Sequence, residues 1–124
     1  MEGQRHAVQA LDAGRRLGGE TKDAVLGVLA DRYCRAILEC TMYRPRSAAE
    51  ICSESGVPIS TVYRRLQALH EAKLIGITGT ISDDGKKYLL YRSKMRSAAC
   101  TFNGGCVEIQ VVPNKPWQPA GNHA

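Results

Sequence analysis

Ser60-Thr61-Val62-Tyr63-Arg64-Arg65-Leu66-Gln67-Ala68-Leu69-His70 is the stretch that decides how this chain reads. Val62, Leu66 and Leu69 recur at i, i+4 and i+7, so a rotation of about 100° per residue stacks them on one face of a helix. Arg64, Gln67 and Thr61 then fall on the far side, with Tyr63 at the flank. A helix that gives one face to a core and offers Arg, Gln and hydroxyls on the other suits the major groove of duplex DNA. Arginine pairs with guanine O6/N7 and glutamine with adenine N6/N7, while hydroxyls and helix-terminal amides hold phosphates. An ordinary amphipathic surface helix has the same pattern, so the flanking sequence has to decide.

Upstream, Ser47-Ala48-Ala49-Glu50 has the form of a capping box, in which serine and glutamate reciprocally satisfy free amides. It predicts a short helix over Ala48–Ser55, closed by Gly56. Gly56-Val57-Pro58-Ile59 then leads to Ser60, the expected cap of a recognition helix over 60–72. Two short helices joined this way form a helix-turn-helix. Downstream, Leu74–Ile81 alternates with Ile75, Ile77 and Ile81 in phase. Ser82-Asp83-Asp84-Gly85 reads as a turn and Lys86–Tyr91 as the returning strand, predicting a wing over 76–92. Earlier in the chain, Leu26, Leu29, Tyr33, Ile37 and Cys40 recur at helical spacing through Asp23–Thr41. Asp31 is placed to cap a second helix there, and Arg44-Pro45 ends the segment. A further hairpin is expected from Ala98–Phe102, through Asn103-Gly104-Gly105, into Cys106–Val112.

These pieces predict an α+β fold: a winged helix-turn-helix, with a three-helix core and β-hairpin wing, plus an additional C-terminal β-hairpin. The expected division is an N-terminal arm or frayed helix over 1–21, broken at Gly18-Gly19, and a winged-helix domain over 22–96. The hairpin follows over 97–112, packing on the domain or on a dimer partner, and then a proline-containing tail over 113–124, which Trp117 docks.

The totals agree with one domain. The chain has 124 residues, 44% hydrophobic and 23% charged, with a net charge of +5. No apolar run approaches the roughly 20 residues of a membrane span. Met1–Arg16 is interrupted by charges, so no signal peptide is read and the expected location is the cytoplasm, with no membrane partner. The positive excess is concentrated: residues 46–96 carry 9 Lys+Arg against 5 Asp+Glu, and residues 1–45 carry 7 against 6. That is the footprint of a phosphate binder. Cys34, Cys40, Cys52, Cys100 and Cys106 include no CxxC and no zinc-finger spacing, so buried free thiols are expected and neither a metal nor another cofactor. Cys100 and Cys106 flank one hairpin turn, which raises a thiol switch across it. His6, His70 and His123 are isolated and no catalytic constellation is present, so no enzymatic activity is expected.

The chain resembles archaeal winged-helix transcription regulators related to the arsenic-repressor-like (ArsR-like) superfamily over about residues 23–112. The likeness rests on Leu29-Ala-Asp-Arg-Tyr33 with Ile37-Leu38, on Ser47-Ala-Ala-Glu-Ile51, and on Pro58-Ile-Ser-Thr-Val-Tyr-Arg-Arg-Leu66 leading to Leu69 and Leu74-Ile75. The stretch Ile81-Ser-Asp-Asp-Gly-Lys-Lys-Tyr88, closed by Tyr91, completes it. The resemblance implies dimeric DNA binding, with 60–72 as recognition helix and 76–92 as wing. Metal-sensing members carry a paired cysteine motif that this chain lacks, so metal sensing is not carried over.

Specific roles follow. Arg64 points most directly from the helix core and is the expected base reader, with Gln67 one turn on as a second. Arg65 lies to the side, suited to a phosphate or to an intramolecular partner such as Glu39. Ser60 and Thr61 sit at the helix N-terminus, where a phosphate is favoured. Tyr63 is placed for a phosphate or for packing. Lys86 and Lys87 follow the wing turn on opposite faces, beside Asp83 and Asp84, and Arg46 is a further phosphate contact. The small size favours a homodimer on double-stranded DNA, reading half-sites about 34 Å apart. The competing expectation is a winged-helix module that binds protein and has no specific affinity for DNA.

Overall fold

The apolar periodicity of residues 23–41 yields two helices rather than one, because Asp31 interrupts it. Its backbone is extended (φ −92°, ψ 123°) and its carboxylate accepts from the Cys34 amide, 2.8 Å away, which starts a new helix. The structure, a computed structural model, describes residues 19–119, so most of the arm expected over 1–21 lies outside the described residues. The helices are α1 (Gly19–Ala30), α2 (Arg32–Cys40), α3 (Ala48–Ser55) and α4 (Ile59–Glu71). Two antiparallel hairpins follow: β1 (Ile75–Ile81) with β2 (Lys87–Ser93), and β3 (Met95–Asn103) with β4 (Cys106–Pro113). This is an α+β winged helix: α2–α4 form the three-helix core, α1 packs beside it, β1–β2 is the wing, and a second hairpin is added.

Local chemistry sets the helix ends. Both bonds of the Ser47/Glu50 capping box form, at 3.1 and 2.8 Å. Gly56 ends α3 in the left-handed region at φ 76°, and a Cβ there would meet no atom within 4 Å. Any cost of a side chain at that position is therefore conformational. Gly56→Ala is expected to destabilise by about 1–2 kcal/mol. A lower urea midpoint at unchanged slope would show it, and an unchanged midpoint would refute the left-handed cap as a stabilising feature.

Helix α4 departs from expectation at its start. It begins at Ile59 with Pro58 at the cap and no side-chain capping bond, so Ser60 lies inside the first turn and does not cap it. Proline has no side-chain acceptor, so the amides of the first turn receive no capping bond from it. At the other end, the Leu74 amide donates to the Leu69 carbonyl (2.9 Å) and the Lys73 amide to that of His70 (3.0 Å), a Schellman closure. It puts Lys73, a non-glycine residue, at φ 63°.

One core joins all the elements. Val25 of α1, Cys34 and Ile37 of α2, Ile51 of α3, and Val62, Leu66 and Leu69 of α4 are buried together with Leu74 before the wing and with Ile75, Tyr91, Met95 and Ile109 of the strands. Cys34 behaves as a small hydrophobe: burial, reinforced by the Asp31 carboxylate, pushes its thiol up to about 12. The wing is stitched to the helices through Arg46, whose backbone exchanges hydrogen bonds of 2.9 and 2.7 Å with Tyr91, and through Ser93 N–H to the Thr41 carbonyl.

In the second hairpin Asn103 belongs to β3, and Gly104-Gly105 (φ 61° and 92°) make the turn. That register sets Asn103 opposite Cys106 and Cys100 opposite Ile109. The two cysteines are thus three residues out of step, about 10 Å at the rise of a strand. Relaxed disulfides need Cα atoms within about 7 Å. The expected approach of Cys100 to Cys106 is corrected accordingly, and both are free thiols.

Candidate nucleic-acid interface

The three apolar anchors of α4 are all buried, which turns its opposite face outward. Ser60, Tyr63, Arg64 and Gln67 are exposed on that face and Thr61 is half-buried. The Arg64 guanidinium reaches only the Thr61 hydroxyl, at 3.5 Å, and pairs with no carboxylate among the described residues. The first bond of the helical ladder is Val62 N–H to the Pro58 carbonyl (2.9 Å). The amides of Ile59, Ser60 and Thr61 therefore lie ahead of the ladder, at the positive end of the helix dipole. Tyr63 is 56% exposed, so its ring is largely open to solvent.

Two expected contacts are committed elsewhere. Arg65 donates from Nε to Asp31 Oδ2 at 2.9 Å and from Nη2 to Oδ1 at 3.4 Å, and lies over the Tyr33 ring at 5.5 Å. Its intramolecular partner is Asp31 and not Glu39, because the cap of α2 faces the flank of α4. Arg46 pairs with Glu54 at 2.6 Å, donates from Nε to the Cys40 carbonyl, and keeps only 17% of its side chain exposed. Since its backbone is bridged to Tyr91, its side chain is turned inward across α3. It is a fold residue, and the phosphate role read for it is withdrawn.

In the wing, Ile75, Tyr91 and Ser93 are buried at the base, but the same face becomes exposed toward the tip. Ile77 is 41% exposed, Leu89 49% and Ile81 64%. The alternation of apolar residues thus runs past the edge of the helical core. Lys86 and Lys87 are both exposed, and Lys86 lies in the turn, outside the ladder that begins with the Ile81–Lys87 pair. Strand alternation accordingly does not govern the pair as expected. Asp84 is tied into the turn by Ser82 Oγ and the Lys86 amide, which hold its carboxyl below the usual range. Its Oδ1 is engaged by the turn, and neither lysine forms an ion pair among the described residues.

Sequence reasoning missed the capping role of Pro58, the left-handed Lys73 and the Asp31–Arg65 pair.

No helix among the described residues is long and apolar enough to cross a membrane. No curated protein matches the chain. Among solved structures, NolR from Sinorhizobium fredii shares the fold, with a TM-score of 0.50 and 16% identity over 62% of this chain and 72% of that one. A possible transcriptional regulator from Methanosarcina mazei Go1 aligns with a TM-score of 0.48 and 14% identity over 66% of this chain and 76% of that one. The family model described as a helix-turn-helix domain matches residues 29–76, from the last turn of α1 to the second residue of β1, and so covers the whole three-helix core.

Proposed function

We propose that the protein is a sequence-specific double-stranded DNA-binding transcription regulator of the ArsR-like winged-helix kind, acting as a homodimer. Helix α4 enters the major groove and the wing lies on the backbone or in the minor groove. The observation that carries this reading is the outward face of α4, where Arg64 and Gln67 stand exposed one turn apart and Arg64 is free of any acidic partner among the described residues. Arg64 is the principal base reader and Gln67 the second. Ser60, Thr61 and the amides that precede the ladder hold a phosphate, and Tyr63 borders the same strand. Lys86 and Lys87 contact phosphates from the wing.

Duplexes selected from a random pool test it. Arg64→Ala is expected to cost about 1–3 kcal/mol of discrimination at one base position. Lys87→Ala should weaken binding to all sequences alike and reduce the salt slope by about 0.9. Equal affinity of the wild-type protein for selected and scrambled duplexes would overturn the reading.

The exposed Ile77, Leu89 and Ile81 favour a second reading, a winged helix that docks on protein. In that case duplex affinity would stay in the non-specific range of about 10⁻⁴–10⁻⁶ M.

A further inference from the structure

A pocket of about 470 Å³ lies between the C-terminal end of α4, the base of the wing and the chain after β4. Its size falls within the roughly 300–1,000 Å³ usual for small-molecule sites. Part of the wall is apolar, with Val25, Leu74 and Val111. Lys73, Arg92 and Lys94 also line it, and among the described residues no carboxylate does.

Local structure places each of the three residues at the pocket. Lys73 occupies the left-handed position that ends α4. The stem of Lys94 lies along Gly76, its Cε 3.8 Å from where a Cβ on that glycine would stand. Arg92 donates from Nη1 to the Lys115 carbonyl and stacks 5.9 Å from the centre of the Trp117 ring, so the chain after β4 folds over it. Asn114 staples that segment down, donating to the carbonyls of Met42 (2.8 Å) and Ser93 (2.9 Å).

No carboxylate among the described residues balances the charge so assembled. The ion pairs among the described residues are Arg46–Glu54 and Arg65–Asp31, neither of which involves the pocket. The Arg92 Nε is buried without a hydrogen-bond partner. Burial, and then the neighbouring Arg96, push the Arg92 pKa down, the opposite of what an ion pair does. Cations gathered against an apolar wall, with no counter-charge among the described residues, favour an anion that brings its own apolar part.

We propose that this pocket is a binding site for a small organic anion, with a carboxylate or phosphate head among Lys73, Arg92 and Lys94 and a compact apolar body against Val25, Leu74 and Val111. Lys73, Leu74 and Gly76 connect α4 to the wing, so occupancy bears on the spacing between those two elements. That consequence rests on the DNA-binding reading, whereas binding of the anion itself does not.

The test is a titration of the ¹⁵N-labelled full chain, without DNA, with benzoate, phenyl phosphate and the neutral analogue benzamide. At least one anion should move the amides of Lys73, Leu74, Gly76 and Lys94 saturably at millimolar concentration, and the two anions compared will show which head is preferred. Benzamide should leave those amides in place. The exposed-residue double variant Lys73→Gln/Lys94→Gln should weaken anion binding about tenfold or more, with the rest of the spectrum unchanged. Benzamide binding as tightly as the anions, unchanged affinity in the double variant, or no response to either anion would each overturn the proposal. Because no duplex is present, such a failure is separate from a failure of the DNA-binding reading.

Discussion

Leu69→Ala is expected to remove about 2–5 kcal/mol of stability, the range for a large aliphatic side chain deleted from a packed core. Leu69 has no exposed surface, and it stands where α4 meets the rest of the core. Its carbonyl also accepts the Leu74 amide that turns the chain from α4 toward β1, so the position joins core packing to the geometry of the wing base. Small domains have only about 5–15 kcal/mol in total. A loss of this size should lower the melting temperature by about 10 °C or more. Thermal and urea melts measure it directly, and a loss below about 1 kcal/mol would mean that the site collapses without a cavity or is less packed than described.

Asp31→Ala is expected to be the next most damaging change, at about 1.5–3 kcal/mol, from the loss of a helix cap plus a partly screened ion pair. One carboxylate performs both tasks: it caps α2 through the Cys34 amide and holds Arg65 of α4 at 2.9 Å. Asp31→Asn separates them, because asparagine caps nearly as well but carries no charge. It should lose roughly half as much as the alanine variant.

The pH dependence has a definite sign. The Arg65 hydrogen bond holds the Asp31 carboxyl below its ordinary value, partial burial opposes this, and the Cys34 amide adds to the lowering. A depressed folded-state pKa means that the stabilisation is complete above the unfolded value, near 3.8, and is lost as pH falls through the folded value. The stability gap between wild type and Asp31→Asn should accordingly be constant at neutral pH and narrow on acidification below about pH 4. A gap independent of pH down to about 2 would remove the charge of Asp31 from the account.

Much of the architecture was legible because it is written in local chemistry. The capping box at Ser47 and Glu50, the left-handed Gly56 and the Asp31 cap each depend on residues within one turn of chain, and each formed. The apolar spacing of Val62, Leu66 and Leu69 likewise settled which side of α4 faces inward. The site was legible to the extent that it follows from that spacing: Arg64 and Gln67 point outward as the periodicity requires.

What failed to read out depends on partners far away in the chain. Arg65 looks equally suited to a phosphate until a carboxylate 34 positions earlier is brought beside it. Arg46 looks like a free cation until the bridge to Tyr91 turns it toward Glu54. The separation of Cys100 from Cys106 depended on a register set by the turn, not on their nearness in sequence. The pocket combines α1, the end of α4, both strands of the wing and the chain after β4, and no local pattern announces it. Sequence alone determined where helices begin, end and face, since dihedral preferences and hydrogen bonds act over a few residues. Which cations are neutralised and which remain free was decided only in the folded chain, because charges pair across space, and the packing of the core chooses their neighbours.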